Sequence, residues 1–240
     1  MDGSIFVLIG GWGMKIHPMK KDFLLFRCLH SGALRPSTID EECSLSKEQS
    51  DRNKKFLTRV IDSYGSCAML AVDGESVVAH ARFYPQVIYD RFKFCCQDPN
   101  HAITQEIAEM KFPRLANQAE RDLRITCYFV LEDYRGQGLS HKLIAAVIEW
   151  GKNNGWKSVR CLATRNNYWL SSEMCTPMLR TYVKHGFKII GTVAIPEVKG
   201  YLQKMKDGEF GVEKKRGFEK FCAGEDLSEL VSFYEMECML

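Results

Sequence analysis

The chain has 240 residues, of which 45% are hydrophobic and 11% aromatic, enough to fill a substantial core and short enough to expect one main domain with appendages. Its 33 basic and 30 acidic residues leave a formal net charge of only +3, which excludes the strongly basic surface of a nucleic-acid-binding protein. The apolar run Ile5-Phe6-Val7-Leu8-Ile9 follows Asp2, has no basic residue before Lys15 and ends at Gly10-Gly11, so it reads neither as an export signal nor as a membrane span, which needs roughly 20 apolar residues.

In chain order, residues 1–13 read as a leader or extra edge strand, and a domain spanning 14–195 follows. Residues 14–18 suggest a short strand, and Phe23, Leu24, Phe26 and Leu29 predict a helix over 22–29 by their spacing. Leu45, Phe56, Leu57, Val60 and Ile61, set among charges, predict an amphipathic helix in the later half of 46–64, ended by Gly65. Residues 67–72 and 76–84 read as two strands, joined by the hairpin pair Asp73-Gly74 and closed by Pro85. The stretch at about 86–120, broken by Pro99 and Pro113, has no regular period and is treated as an insertion.

Order returns at 123–130, where Leu123, Ile125, Cys127 and Phe129 alternate with Arg124, Thr126, Tyr128 and Val130 as a strand requires. A glycine-bearing turn leads to a helix over 138–153 with the stripe Leu139, Leu143, Ile144, Val147 and Ile148, terminated by Asn154-Gly155. A strand at 159–164, a helix at 177–184 and a strand at 187–193 complete the domain; residues 196–240 form an extension packed on it, with a solvated basic turn at Lys214-Lys215-Arg216 and a final helix over 226–236. Alternating strands and helices make the fold class α/β.

Ten cysteines, several within apolar runs where a thiol acts as a small hydrophobe, fit a reduced, cytoplasmic compartment. Cys95-Cys96 with His101 lacks the paired spacing of a zinc site, so no metal is expected there. Cys127 or Cys161 as a nucleophile would need an adjacent base that the sequence does not reveal.

The chemistry concentrates in Tyr134-Arg135-Gly136-Gln137-Gly138-Leu139-Ser140, between the strand and the helix. A helix N-terminus presents unpaired N–H groups and partial positive charge, and glycines let a diphosphate approach them. Arg135, and Lys142 one turn in, add charge-assisted contacts. The plainer reading is a tight turn that binds nothing. A Walker loop would need Gly-Lys-Ser/Thr after its glycines, and a dinucleotide fingerprint a third glycine where His141 stands.

Val130-Leu131-Glu132-Asp133-Tyr134-Arg135-Gly136-Gln137-Gly138-Leu139-Ser140 resembles the acyl-coenzyme A signature of the GNAT superfamily of N-acetyltransferases, Arg/Gln-x-x-Gly-x-Gly/Ala, with Ser140 in the last position and Glu132 where many members have proline. A second stretch, Leu179-Arg180-Thr181-Tyr182-Val183-Lys184-His185-Gly186-Phe187, resembles the family's closing element, with a tyrosine four residues before Gly-Phe. The likeness is specific over about 123–191, fits the element order of 14–84 and is absent from the tail.

The resemblance implies a central mixed, mostly antiparallel twisted sheet flanked by helices and splayed between its fourth and fifth core strands. It implies acetyl-coenzyme A as cosubstrate, with Phe129, Val130, Arg135, Gly136, Gln137, Gly138, Leu139, Ser140 and Lys142 as its binding residues. Backbone groups near Phe129 and Val130 would pair with the pantetheine arm, and a fixed N–H there would face the thioester carbonyl. Tyr182 matches the residue that gives a proton to the leaving thiolate in many members, the plainer reading being a core tyrosine; Glu132 is the leading candidate base, with His80 and Glu109 behind it and ordered water as an alternative. The expected acceptor is a small-molecule or peptide amine, the protein a monomer or homodimer without nucleic-acid or membrane partners. A noncatalytic acyl-coenzyme A sensor is the alternative from a different class.

Overall fold

The computed structural model describes residues 13–29, 32–39, 45–91, 103–115 and 120–240. The chain divides into two compact units, Met1–Arg160 with Met239–Leu240, and Cys161–Cys238.

The first unit is built on a sheet in which β1 (Lys15–Pro18), β2 (Ala68–Asp73), β3 (Ser76–Pro85) and β4 (Asp122–Val130) are successive antiparallel neighbours. A fifth strand, β5 (Ser158–Ala163), pairs parallel to β4 over Asp122–Arg124 against Ser158–Arg160. That ladder ends at Arg124 and Arg160, while β4 runs on to Val130. The sheet is therefore mixed and mostly antiparallel, and the one parallel pair is the pair expected to splay. The hairpin β2–β3 closes at the Asp73–Ser76 pair with Gly74 at φ 58°, a conformation glycine adopts without strain.

One face of the sheet is covered by α1 (Lys47–Tyr64). Its start is fixed by reciprocal hydrogen bonds, Gln49 N–H to Ser46 Oγ at 3.2 Å and Ser46 N–H to Gln49 Oε1 at 3.1 Å, which satisfy two otherwise orphaned donors. Phe56, Leu57, Val60 and Ile61 bury its apolar stripe against Ala68, Leu70 and Tyr84. The insertion contributes α2 (Gln86–Tyr89) and α3 (Gln105–Glu109); their Ile88 and Ala108, with Ile103 just ahead of α3, join the same core. Arg59 from α1 donates to the Ala108 and Met110 carbonyls. On the opposite face lies α4 (Leu139–Asn153), with the Trp150 ring 4.9 Å from that of Phe83.

No helix forms over 22–29, contrary to the spacing argument. Residues 25–29 are all buried in succession, so this part of the segment has no solvent face for an amphipathic helix. Its backbone is satisfied from outside: Asn53 donates to Phe26 O at 3.2 Å, Arg82 to Leu25 O at 2.6 Å, and Leu25 N–H approaches Met19 Sδ at 3.2 Å. At the far end of the chain, the Leu240 N–H donates to Lys157 O at 2.9 Å, and the Leu240 side chain sits where a Cβ on Gly151 would be, 2.6 Å away.

The second unit holds α5 (Tyr168–Glu173), α6 (Leu179–Val183), α7 (Pro196–Asp207), α8 (Val212–Cys222) and α9 (Leu227–Leu230), with the antiparallel pair β6 (Lys188–Ala194) and β7 (Ser232–Met239). The expected final helix is instead the single turn α9, capped by Asp226 on Ser228 N–H at 2.8 Å, followed by β7. Pairing with β6 overrides the helical preference of Glu and Met, burying Phe233, Met236 and Cys238. Lys214-Lys215-Arg216 lies on α8, not in a turn, and Lys214 Nζ reaches both oxygens of Glu173 at 2.5 and 2.6 Å. Among the described residues no helix is long and apolar enough to cross a membrane. The runs Ile5–Ile9 and Cys95-Cys96 with His101 lie outside the described residues.

Candidate active site

The site is assembled where β4 hands over to α4. After Val130 the chain leaves the sheet with a Leu131 N–H bond to Val78 O at 3.0 Å, then makes a 3-10 turn at Glu132–Tyr134. Tyr134 OH donates to Asp73 Oδ2 at 2.9 Å and pins this turn to the β2–β3 hairpin; that bond, with burial and the negative charge of Asp73, raises the phenol above its ordinary pKa. Arg135 N–H donates to Glu132 O at 3.0 Å and Arg135 Nε to Val130 O at 3.2 Å, holding the guanidinium stem across the strand end. Gln137 Nε2 donates to Asp133 O at 3.1 Å.

Gly136 and Gly138 stand at φ 76° and 74°, where a side chain is strained, and nothing lies within 4 Å of the place a Cβ would occupy. Both glycines are exposed, so the requirement is conformation and an open approach, not internal packing. Gly138 is the N-cap of α4 and brings no capping side chain. The amides of a helix's first turn have no partner within the helix, and the open space above Gly136 and Gly138 leaves that helix end approachable by an anion. Leu139 is buried and anchors the helix start, while Lys142, half-buried one turn in, bonds its N–H to Gly138 O at 3.2 Å.

Ser140 stands where the family pattern has glycine or alanine, and its side chain lies against the buried phenol of Tyr128 on β4. Burial drives the Tyr128 phenol well above its usual pKa range, with Ser140 pulling the other way. The sequence signal for this contact was the departure at 140 itself, together with Tyr128 on the strand face opposite Phe129.

The expected cofactor-binding residues therefore fall on one continuous strand end, turn and helix start. Phe129 is half-buried against the α1-side core, and Val130 is buried. Glu132 is exposed on the 3-10 turn. His80 is fully buried, with Nε2 3.4 Å from Cys127 Sγ, which withdraws it from any acceptor. The same contact gives Cys127 a basic neighbour that the sequence did not reveal, and both groups are enclosed in the core. Glu109 is exposed on α3 beside Gln105 and Lys55. In the second unit Tyr182, on α6, is 1% exposed with its ring 5.0 Å from that of Phe187.

Comparison with known proteins identifies the family. The family model described as "Acetyltransferase (GNAT) family" matches residues 35–187, more than half of the chain. Similar solved structures include an acetyltransferase of the GNAT family from Streptococcus pneumoniae, at 15% identity and TM-score 0.49, covering 95% of this chain and 99% of that one. A GNAT family acetyltransferase from Elizabethkingia anophelis with acetyl-CoA bound has 16% identity and TM-score 0.42, covering 95% and 98%. A putative acetyltransferase from Salmonella typhimurium with its cofactor acetyl-CoA has 12% identity and TM-score 0.47, covering 95% and 94%. No curated protein matches the chain. On the match of the family model, the chain belongs to the GNAT acetyltransferase family.

Proposed function

We propose that the chain transfers an acetyl group from acetyl-coenzyme A to a primary amine by direct attack in a ternary complex. The observation that carries the reading is the uncapped start of α4 behind Gly136 and Gly138, with open space above both glycines. A diphosphate there meets backbone N–H groups and the helix dipole, and Arg135 and Lys142 supply charge. The cosubstrate supplies a thioester, activated for attack at its acyl carbon.

The amine nitrogen forms the new bond to that carbon as the carbon–sulfur bond breaks. Backbone groups at Phe129 and Val130 align the thioester, and a fixed N–H dipole there opposes the charge that builds on the carbonyl oxygen. Glu132, exposed beside the turn, takes the amine's proton directly or through water, and Tyr182 gives its hydroxyl proton to the departing thiolate. The last role requires the Tyr182 hydroxyl to reach the sulfur from its buried seat.

Calorimetric titration of acetyl-coenzyme A into the protein, beside Gly138→Glu, tests the cofactor site. The parent is expected to bind, and Gly138→Glu, which sets bulk and negative charge against the diphosphate, is expected to lose affinity at least about 100-fold. Because φ 74° strains any side chain at 138, Arg135→Ala serves as a second variant, with about a tenfold loss. A folded parent that does not bind overturns the reading, and binding without turnover on any amine would favour a noncatalytic sensor.

A further inference from the structure

A buried cluster in the first unit is used by nothing in the acyl-transfer chemistry. Cys28 comes from the irregular segment ahead of α1, His80 from β3 and Cys127 from β4. Each offers one ligand atom, and the three atoms lie within 4.8 Å of one another. Registration explains the meeting: His80 pairs with Phe129 and Arg82 with Cys127 across β3–β4, so His80 and Cys127 are diagonal neighbours on one face. The His80 Nε2 to Cys127 Sγ distance is 3.4 Å.

Those separations suit a soft metal ion. Metal–sulfur and metal–nitrogen bonds of about 2.3 and 2.0–2.1 Å set ligand atoms roughly 3.5–4 Å apart, so closing the triad needs shifts of no more than about 1 Å. Thiolate and imidazole donors select Cu(I) or Zn(II) over hard cations. One feature separates those ions. Among the described residues no fourth His, Cys, Asp or Glu atom joins the group, whereas structural zinc is almost always four-coordinate.

We propose that Cys28, His80 and Cys127 form a three-coordinate site for Cu(I). Loading releases the two thiol protons to solvent, leaves the metal's oxidation state unchanged and uses neutral His80 as the nitrogen ligand. The ion staples the irregular segment at Cys28 to the two central strands.

The test uses the full chain, reduced and anaerobic, titrated with Cu(I) against a competing colorimetric chelator, both natively and during refolding. One ion is expected at the triad. Cys28→Ala and Cys127→Ala should each lower its affinity at least about 100-fold, while Cys222→Ala, in the second unit, should bind as the parent does. X-ray absorption of the loaded parent should show two sulfurs and one nitrogen. An all-sulfur shell, unchanged affinity in a folded triad variant, no tight ion, or preference of the triad for Zn(II) would overturn the proposal. If the variants do not fold, the parent's spectrum and metal preference decide.

Discussion

At the scale of single residues, positions 136 and 138 show how much a glycine pattern carries once its backbone is known. Two glycines in a turn are compatible with simple chain reversal; at φ 76° and 74°, exposed and with open space above them, they leave the helix start open to an approach from outside. Tyr182 is the opposite case. Its distance before Gly186-Phe187 marked it in the sequence, where a core tyrosine was the plainer reading, and a core ring against Phe187 is what the second unit contains. If it also protonates the leaving thiolate, Tyr182→Phe lowers kcat about 100-fold or more while the acetyl-coenzyme A Kd stays within about twofold; unchanged kcat in steady-state assays leaves it a core residue. Cys67 carries a pH prediction. Burial pushes its thiol up to about 12, with Arg82 pulling the other way. Above about pH 9 the unfolded thiol ionises while the folded one keeps its proton, so its stability contribution is whole below that pH and is lost toward pH 12. Urea unfolding at about pH 8 and 10 should show a smaller alkaline drop for Cys67→Ala than for the parent; equal drops would assign the effect to other groups.

Elements were legible where a periodic pattern met a stop signal. The capping box Ser46/Gln49 and Gly65 bracket α1, and Asn154 follows α4. α7 went unassigned although Pro196 in its first turn and Gly208 at φ 84° after it are ordinary start and stop signals. The failures have one physical source, partners distant in sequence. The 22–29 backbone is satisfied by Asn53 and Arg82, and β7 exists because β6 pairs with it. Packing between α5 and α8 supplies a prediction at this scale. A Cβ on Gly217 would lie 2.5 Å from Trp169 Nε1 and 3.1 Å from Cε2, on a ring that also meets Phe218 at 6.1 Å. Gly217→Ala is therefore expected to destabilise by about 1–3 kcal/mol despite the better helix former, with a blue or red shift of tryptophan emission; an unaltered unfolding midpoint would show that the indole moves aside freely.

At the scale of the whole molecule, the seven described cysteines are all buried and free of disulfides, as their placement in apolar runs suggested. Those thiols should remain unreactive toward a water-soluble disulfide reagent in the native protein, and all ten residues should react in denaturant; rapid labelling of Cys67 or Cys127 in the native state, read by peptide mass, would contradict the burial. The hairpin β2–β3 and the glycine-bearing turn after β4 were readable in local sequence and the sheet arrangement followed from the family resemblance, whereas the Cys28–His80–Cys127 juxtaposition depends on β3–β4 register and had no local trace. The tie at Leu240 bears on how this molecule is made. Residues 239–240 belong to the first unit, yet the ribosome delivers them only after Cys161–Cys238. Until then the Lys157 carbonyl lacks the Leu240 amide, and the hollow at Gly151, lined by Leu123 and Trp156, lacks the Leu240 side chain. During translation the first unit thus stays an unfinished nascent form, its apolar surface at Gly151 uncovered, until the residues that follow the second unit have been made.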